Sequence, residues 1–363
     1  MPSKVDETFQ TLHEIVRAAK INLPLGEWDS LVGGAETETT LKRNRRALDS
    51  LAFRPRVLRD VSGVDASATF LGRKLRLPLM LAPIGSIESF AEGGGATAAK
   101  ASGEFGVPQF LSSACNPGLE AVAEAADNFR IFQLYVRGDA AFVDDHVKRA
   151  KDNGYTAFCL TVDTQLYSRR ERDIAKRFIK PWRVRNAAGM DFQAALSWED
   201  VKRFKDKHDI PLILKGIATA EDAVQACELG VEMVYVSNHG GRQLDHGRGS
   251  LDVLPEVVAA VDGRAQVMMD GGCMRGSDVV KAIALGACAM GVGRLACLGL
   301  AAAGQAGLVR ALELLEDEVR ICLGLMGLTS FEELDASYVH AAQPVTEPHV
   351  FSAFPLLSFD DGY

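Results

Sequence analysis

PLILKGIATAEDAVQACELGVEMVYVSNH, residues 211–239, holds two apolar runs with a helical segment between them. PLILKG (211–216) and EMVYVSNH (232–239) read as short strands. Their apolar residues are nearly continuous, as parallel strands covered on both faces require. AEDAVQACELG spaces its apolar residues by three and four and ends on Gly, a common helix stop. The unit is therefore β-α-β. Each strand ends on a chemically active side chain, Lys215 in the first and His239 in the second. After His239 come Gly-Gly and then Arg242, an unusual way to close a strand.

The same rhythm extends in both directions. LPLMLAPI (77–84), VPQFLSS (107–113), RIFQLYV (130–136), AFCLTVD (157–163), AQVMMDGG (265–272) and CAMGVGR (288–294) read as further strands. Helical patterns such as GLEAVAEAA and GSDVVKAIALG separate them. Eight β-then-α units in line predict a parallel sheet closed into a (β/α)8 TIM barrel. A doubly wound open sheet is the structural alternative. Residues 7–50 read as helical. The chain is thus expected to be one domain over 1–363: an N-terminal helical extension over about 1–60, a barrel over about 75–325, and a C-terminal tail. FIKPWRVRNAAGMDFQAALSWED (178–200) reads as an irregular loop on the catalytic face, or a partly mobile lid.

Composition limits what such a barrel does. The chain has 363 residues, 47% hydrophobic and 24% charged, with net charge −8 and pI near 5.5. That balance argues against a nucleic-acid binder, which needs a basic face. It leaves room for a local basic pocket that holds an anion. Seven scattered Cys without CxxC or metal spacing read as free thiols in a reducing compartment. MPSKVDETFQ lacks the apolar region of a signal peptide. No uninterrupted apolar run is as long as a membrane span, and FDDGY matches no C-terminal address. Cytoplasmic residence is the expectation.

In a barrel of this kind the active site lies where strands end. Those ends are unusually polar here: Pro83-Ile84-Gly85, Ser112, Gln133 with Tyr135, Thr161 with Asp163, Lys215, Ser237 with His239, Asp270-Gly271-Gly272, and Gly293-Arg294. Together they read as the lining of a polar ligand site. Glycines after the seventh and eighth strands let backbone N–H groups and helix N-termini approach a phosphate. Lys215 is costly to bury without an anion, and either a reduced flavin or a nearby carboxylate would supply one. His239 suits proton transfer near neutral pH, and Arg242 suits bidentate capture of a carboxylate. Asp163 is placed to hold the imidazole. The other six histidines read as structural.

SNHGGRQLD resembles the active-site signature of the FMN-dependent α-hydroxy acid oxidase/dehydrogenase family. The likeness runs from about Leu31 to Gly324 and includes FRPRVLRDVS, LTVDT followed by SRRERDI, LILKGIATAED and DGG…RGSDVVKAIALGA. It implies FMN at the barrel mouth and oxidation of an L-2-hydroxy acid. It makes His239 and Asp163 the catalytic pair, with Tyr135, Arg170 and Arg242 on the substrate. Pro83, Ile84, Gly85, Ser112, Gln133, Thr161, Lys215 and Ser237 match flavin-ring positions. Asp270, Gly271, Gly272, Arg275, Gly293 and Arg294 match the ribityl and phosphate positions. It also implies a homotetramer that passes electrons to oxygen or another acceptor, without nucleic acid, membrane or metal.

Three positions depart from the family pattern. Ser30 stands where the family carries a tyrosine that helps hold the substrate carboxylate. Ala114 replaces the aromatic after the second-strand serines. Met274 replaces an arginine, with Arg275 next to it. The first two enlarge the pocket and point to a substrate bulkier than glycolate. Gly85, where many of the oxidases carry alanine, points to slow reaction with oxygen. A repurposed flavoenzyme and a flavin-binding protein with little turnover are the rival readings.

Overall fold

The computed structural model describes residues 5, 8–185 and 188–357. Most of MPSKVDETFQ, all of FDDGY and two residues of the 178–200 segment lie outside them. Eight parallel strands close into a barrel. They are β1 (Leu79–Leu81), β2 (Gln109–Ser112), β3 (Arg130–Leu134), β4 (Phe158–Thr161), β5 (Leu212–Ile217), β6 (Met233–Val236), β7 (Gln266–Asp270) and β8 (Met290–Val292). Each pairs with its neighbour in chain order, and β8 pairs with β1 through Met290↔Leu79 and Val292↔Leu81. The sequence placed all eight. The open-sheet alternative is excluded by closure.

Side-chain alternation explains both faces of the wall. Met80, Phe110, Ile131, Cys159, Ile213, Tyr235 and Met268 form one buried cluster inside the barrel. Their neighbours in sequence, such as Leu79, Leu81, Leu212, Leu214 and Val234, join the larger cluster between barrel and helices. A hairpin of Ala68–Phe70 and Arg73–Leu75 adds Phe70 and Leu75 to the inner cluster. Two residues beyond the inner apolar layer come Ser112, Gln133, Thr161, Lys215, Ser237 and Asp270. The polar strand ends are thus the next inward layer of the same barrel, at its C-terminal mouth.

The helices Leu12–Asn22, Leu25–Val32 and Thr39–Asp49 precede the barrel. Thr11 and Glu14 cap the first of them reciprocally. The third is anchored by a buried bidentate pair, Arg45 to Asp278, at 2.8 and 2.7 Å. Lys281 Nζ adds a bond to the Leu48 carbonyl at 2.8 Å. In the tail, Val339–Ala341 pairs antiparallel with Leu51–Phe53. The helix Arg294–Leu325 is long and apolar enough to cross a membrane by composition, but 61% of that window is buried in the fold. It bends at Ala303 and Gly304, whose backbone is non-helical.

Candidate active site

The strand ends and the loops beyond them line a cavity of about 1410 Å³, counted to its open rim. Pro83, Ile84, Gly85, Tyr135, Arg170, Lys215, His239, Arg242, Asp270, Gly271, Gly272, Gly293 and Arg294 all face it. None of the other histidines does.

Three consecutive residues after β6 adopt left-handed backbone: His239 (φ 60°), Gly240 (63°) and Gly241 (74°). Glycine does this freely; a histidine there carries strain of roughly 1–3 kcal/mol. The His239 N–H donates to Ser237 Oγ at 3.0 Å and steadies it. A Cβ at Gly241 would lie 2.5 Å from the Leu41 backbone, and one at Gly240 2.9 Å from Arg294 Nη1. The glycines therefore let the chain turn back beneath the N-terminal helices. Arg242 then reaches the carbonyls of Ser30 and Gly33, both at 2.7 Å.

His239 Nδ1 lies 3.0 Å from Asp163 Oδ1. Its Nε2 lies 3.3 Å from the Tyr135 hydroxyl, so the second ring nitrogen faces the cavity. Burial lowers the His239 pKa, Asp163 opposes that, and Lys215 and Arg170 push it down further. The imidazole is therefore neutral at neutral pH, with Nε2 able to accept a proton. Burial alone raises the Asp163 carboxyl, but His239 and Lys215 hold it below its ordinary value.

Lys215 Nζ donates to Ser237 Oγ at 2.9 Å and lies 3.5 Å from Asp270 Oδ2. Burial alone would lower its pKa, yet Asp270 and Asp163 raise it, so the ammonium stays charged. Asp270 is itself held by Ser237 Oγ at 2.6 Å and the Tyr235 hydroxyl at 3.0 Å. Lys215 thus has the carboxylate partner and also faces the cavity.

On the anion side, Arg170 bonds the Tyr167 hydroxyl at 2.7 Å and Gln243 Oε1 at 3.3 Å. Arg242 keeps a buried Nη2 without a partner. Burial, then Arg170 and Arg294, lower its pKa to about 9. Burial also lowers Arg294 to about 10, against the pull of Glu38. Arg294 lines the cavity while donating to the carbonyls of Leu31, Gly33 and Gly240.

Some expected residues lie elsewhere. Asp163, Ser112, Gln133, Thr161 and Ser237 lie deeper, at the floor of the barrel mouth beneath the open cavity. Arg275 is a correction. It caps the helix Gly276–Ala284, pairs with Glu318 at 2.5 Å and does not line the cavity. At that rim stand Met274 and Arg45 instead, and the Arg45 charge is already matched by Asp278. The 178–200 segment is also more regular than expected, with helices at Pro181–Arg185 and Met190–Ala195. It covers the cavity with Lys180, Trp182, Arg183 and Met190. The sequence reading selected none of these residues, although the basic and aromatic run KPWR was the available signal. Arg137, two residues after Tyr135, was also missed.

The lining fits a flavin mononucleotide. Gln133 Nε2 and Oε1 and Thr161 Oγ1 are buried without hydrogen-bond partners, and a ring with donors and acceptors would supply them. Gly293 heads the long helix with no atom within 4 Å of where a Cβ would stand. Gly271 and Gly272 adopt positive φ beside it. This is an anion cradle at a helix N-terminus.

Barrel, cradle and His–Asp pair together define an FMN-dependent oxidoreductase. Residues 19–341 match the model of the FMN-dependent dehydrogenase family, and the chain belongs to it. An L-lactate oxidase of Nostoc sp. (strain PCC 7120 / SAG 25.82 / UTEX 2576) is 38% identical over 91% of this chain and 97% of its own length. Glycolate oxidase 3 of Arabidopsis thaliana is 39% identical over 94% and 98%. A crystal structure of mandelate oxidase with benzoyl-formic acid superposes with TM-score 0.86 at 39% identity, over 93% of this chain and 100% of that one. The protein is accordingly an FMN-dependent 2-hydroxy acid oxidoreductase.

Proposed function

We propose that the protein oxidises an L-2-hydroxy acid bulkier than glycolate to its 2-keto acid, with His239 as the base. The observation that carries this reading is the His239 imidazole, backed by Asp163 at Nδ1 and open at Nε2, at the rim of a cavity holding Arg170 and Arg242. Two arginines held largely within the fold and facing one cavity call for an anionic partner, and the substrate carboxylate supplies it. Tyr135 donates to the substrate oxygen beside His239 Nε2. The substrate loses two electrons and two protons; His239 Nε2 takes one proton, Asp163 stabilises the imidazolium that results, and the electron pair with the other proton would go to bound FMN. Bound FMN supplies the two-electron acceptor. Pro83, Ile84, Gly85, Ser112, Gln133, Thr161 and Ser237 would surround its ring, with Lys215 countering the negative charge that the ring gains. Asp270, Gly271, Gly272, Gly293 and Arg294 would hold its ribityl phosphate.

Space supports the larger substrate. Ser30 and Ala114 both line the cavity. A Cβ at Gly85 would approach the Ala114 methyl to 3.2 Å, so two small residues meet where larger ones would close the pocket. The mandelate oxidase neighbour, seen with benzoyl-formic acid, supports the same direction. Cytoplasmic residence and a homotetramer belong to this reading, and light scattering of the purified protein gives the mass. The test of function is anaerobic mixing with L-2-hydroxy acids from glycolate to mandelate while the yellow flavin band is followed. The larger acids should bleach it fastest. Glycolate as the best substrate would refute the size assignment.

A further inference from the structure

We propose that the substrate carries a second anionic group, held by Lys180 and Arg137 beneath the segment that follows β4. This inference rests on the reading of the site given above and deepens it.

The cavity has more positive charge than the reaction needs. Among the described residues, none of Arg137, Arg170, Lys180, Arg183, Arg242 and Arg294 has a carboxylate within ion-pair distance, although all six line one cavity. The reacting partners match part of this charge. A ribityl phosphate brings about two negative charges to the cradle at Arg294. The carboxylate of a 2-hydroxy acid takes Arg170 and Arg242. Lys215 already faces Asp270. Arg137, Lys180 and Arg183 are left over. Surface cations need no partner, and Arg183, largely exposed, is answered by solvent and the Tyr167 ring at 4.3 Å.

Arg137 and Lys180 are different. Arg137 comes from the loop after β3, stacks on the Trp182 ring at 4.7 Å, and keeps a buried Nε without a partner. Its Nη1 points at the Met190 thioether, a poor acceptor. The Lys180 ammonium faces the cavity, with no side-chain hydrogen bond or ion pair among the described residues. Burial, then Arg242 and Arg170, drive its pKa well below the ordinary lysine value, against Asp173. A half-buried ammonium that faces other cations keeps its charge most readily when an anion joins it.

The placement is built rather than accidental. The Trp182 N–H donates to Ser86 Oγ at 3.1 Å, which ties this segment to the loop after β1. A Cβ at Gly189 would sit 2.4 Å from the Arg137 carbonyl, so the segment closes tightly over Arg137. The Trp182 ring lies 6.2 Å from the Tyr135 ring. The spare cations therefore border the same space that Gly85 and Ala114 leave open for the substrate side chain. The ligand class is a 2-hydroxy acid with a carboxylate or a similar anion at the far end of its side chain.

The test uses the flavin-loaded protein and probes paired by chain length: L-malate with L-2-hydroxybutyrate, and L-2-hydroxyglutarate with L-2-hydroxyvalerate. Anaerobic flavin reduction gives an apparent second-order rate for each. The diacid of each pair should exceed its monoacid by about tenfold or more. Lys180→Gln and Arg137→Gln should each bring that ratio down toward one, with the yellow flavin spectrum certifying a folded site. Faster monoacids in the unaltered protein would overturn the second-anion site and leave 2-hydroxy acid oxidation standing. A diacid preference that both variants retain would also overturn it, by placing the second anion elsewhere. Failure of all four probes and of mandelate would instead remove the reading on which the inference rests.

Discussion

Asp163 Oδ1 stands 3.0 Å from His239 Nδ1, joining the end of β4 to the turn after β6 across the barrel mouth. That one bond fixes which ring nitrogen carries hydrogen and leaves Nε2 as the acceptor. Asp163→Asn keeps the shape and removes the charge that favours imidazolium. Flavin reduction should fall on the order of 10²-fold or more, with FMN still bound. Rapid-mixing kinetics on the loaded variant checks this; a rate within threefold of the unaltered protein would deny the carboxylate its role.

The same pair sets a pH dependence. Burial, Lys215 and Arg170 hold the His239 pKa below its ordinary 6.5, against Asp163. The base form is therefore the one present at neutral pH. kcat/KM should be flat there and fall as acid protonates the ring below pH 6.5. Asp163→Asn should move that limb to still lower pH, because the group that raises the His239 pKa is gone. A limb centred above pH 7 in the unaltered protein would contradict the assignment.

Gly216 supports the pair from behind. Its φ is 118°, and a Cβ there would lie 2.7 Å from the Asp163 Cβ. Gly216→Ala should displace the Asp163 carboxylate and lower the flavin reduction rate by about tenfold or more, while FMN affinity changes little. A crystal structure of the variant would show the Asp163–His239 distance lengthened.

The Arg45–Asp278 pair makes a separate prediction about stability. Both side chains are buried, at 4% and 0% exposure, and they tie the helix Thr39–Asp49 to the helix Gly276–Ala284. Asp278→Ala leaves a buried guanidinium without its bidentate partner and should cost about 3–5 kcal/mol. Denaturant unfolding measures it. A loss under 1 kcal/mol would mean that Asp49, 2.7 Å from the same guanidinium, suffices alone.

Much of this was legible before any coordinates. Continuous apolar runs ending in polar residues marked all eight strands, because inward alternation at a barrel mouth turns core positions into site positions within two residues. The His239-Gly-Gly-Arg242 turn was legible for the same reason, since its glycines meet a left-handed backbone that few residues adopt. The Arg275 expectation failed because adjacent residues at a helix start point in different directions, Met274 toward the cavity and Arg275 away from it. Arg275 is drawn aside by Glu318, from a distant helix. Lys180 and Arg137 were overlooked because a basic residue in a loop normally faces solvent. Stacking on Trp182 and the close approach of Gly189 draw Arg137 in, and Lys180 faces the same cavity.

The most direct test of the account is anaerobic reduction by an L-2-hydroxy acid in the unaltered protein and in His239→Gln, both loaded with FMN. The account predicts that the unaltered protein bleaches within its catalytic cycle time, while His239→Gln binds the flavin normally and bleaches slower by about 10²–10⁴-fold. Bleaching at equal rates would show that His239 is not the base, and the proposed mechanism would fall.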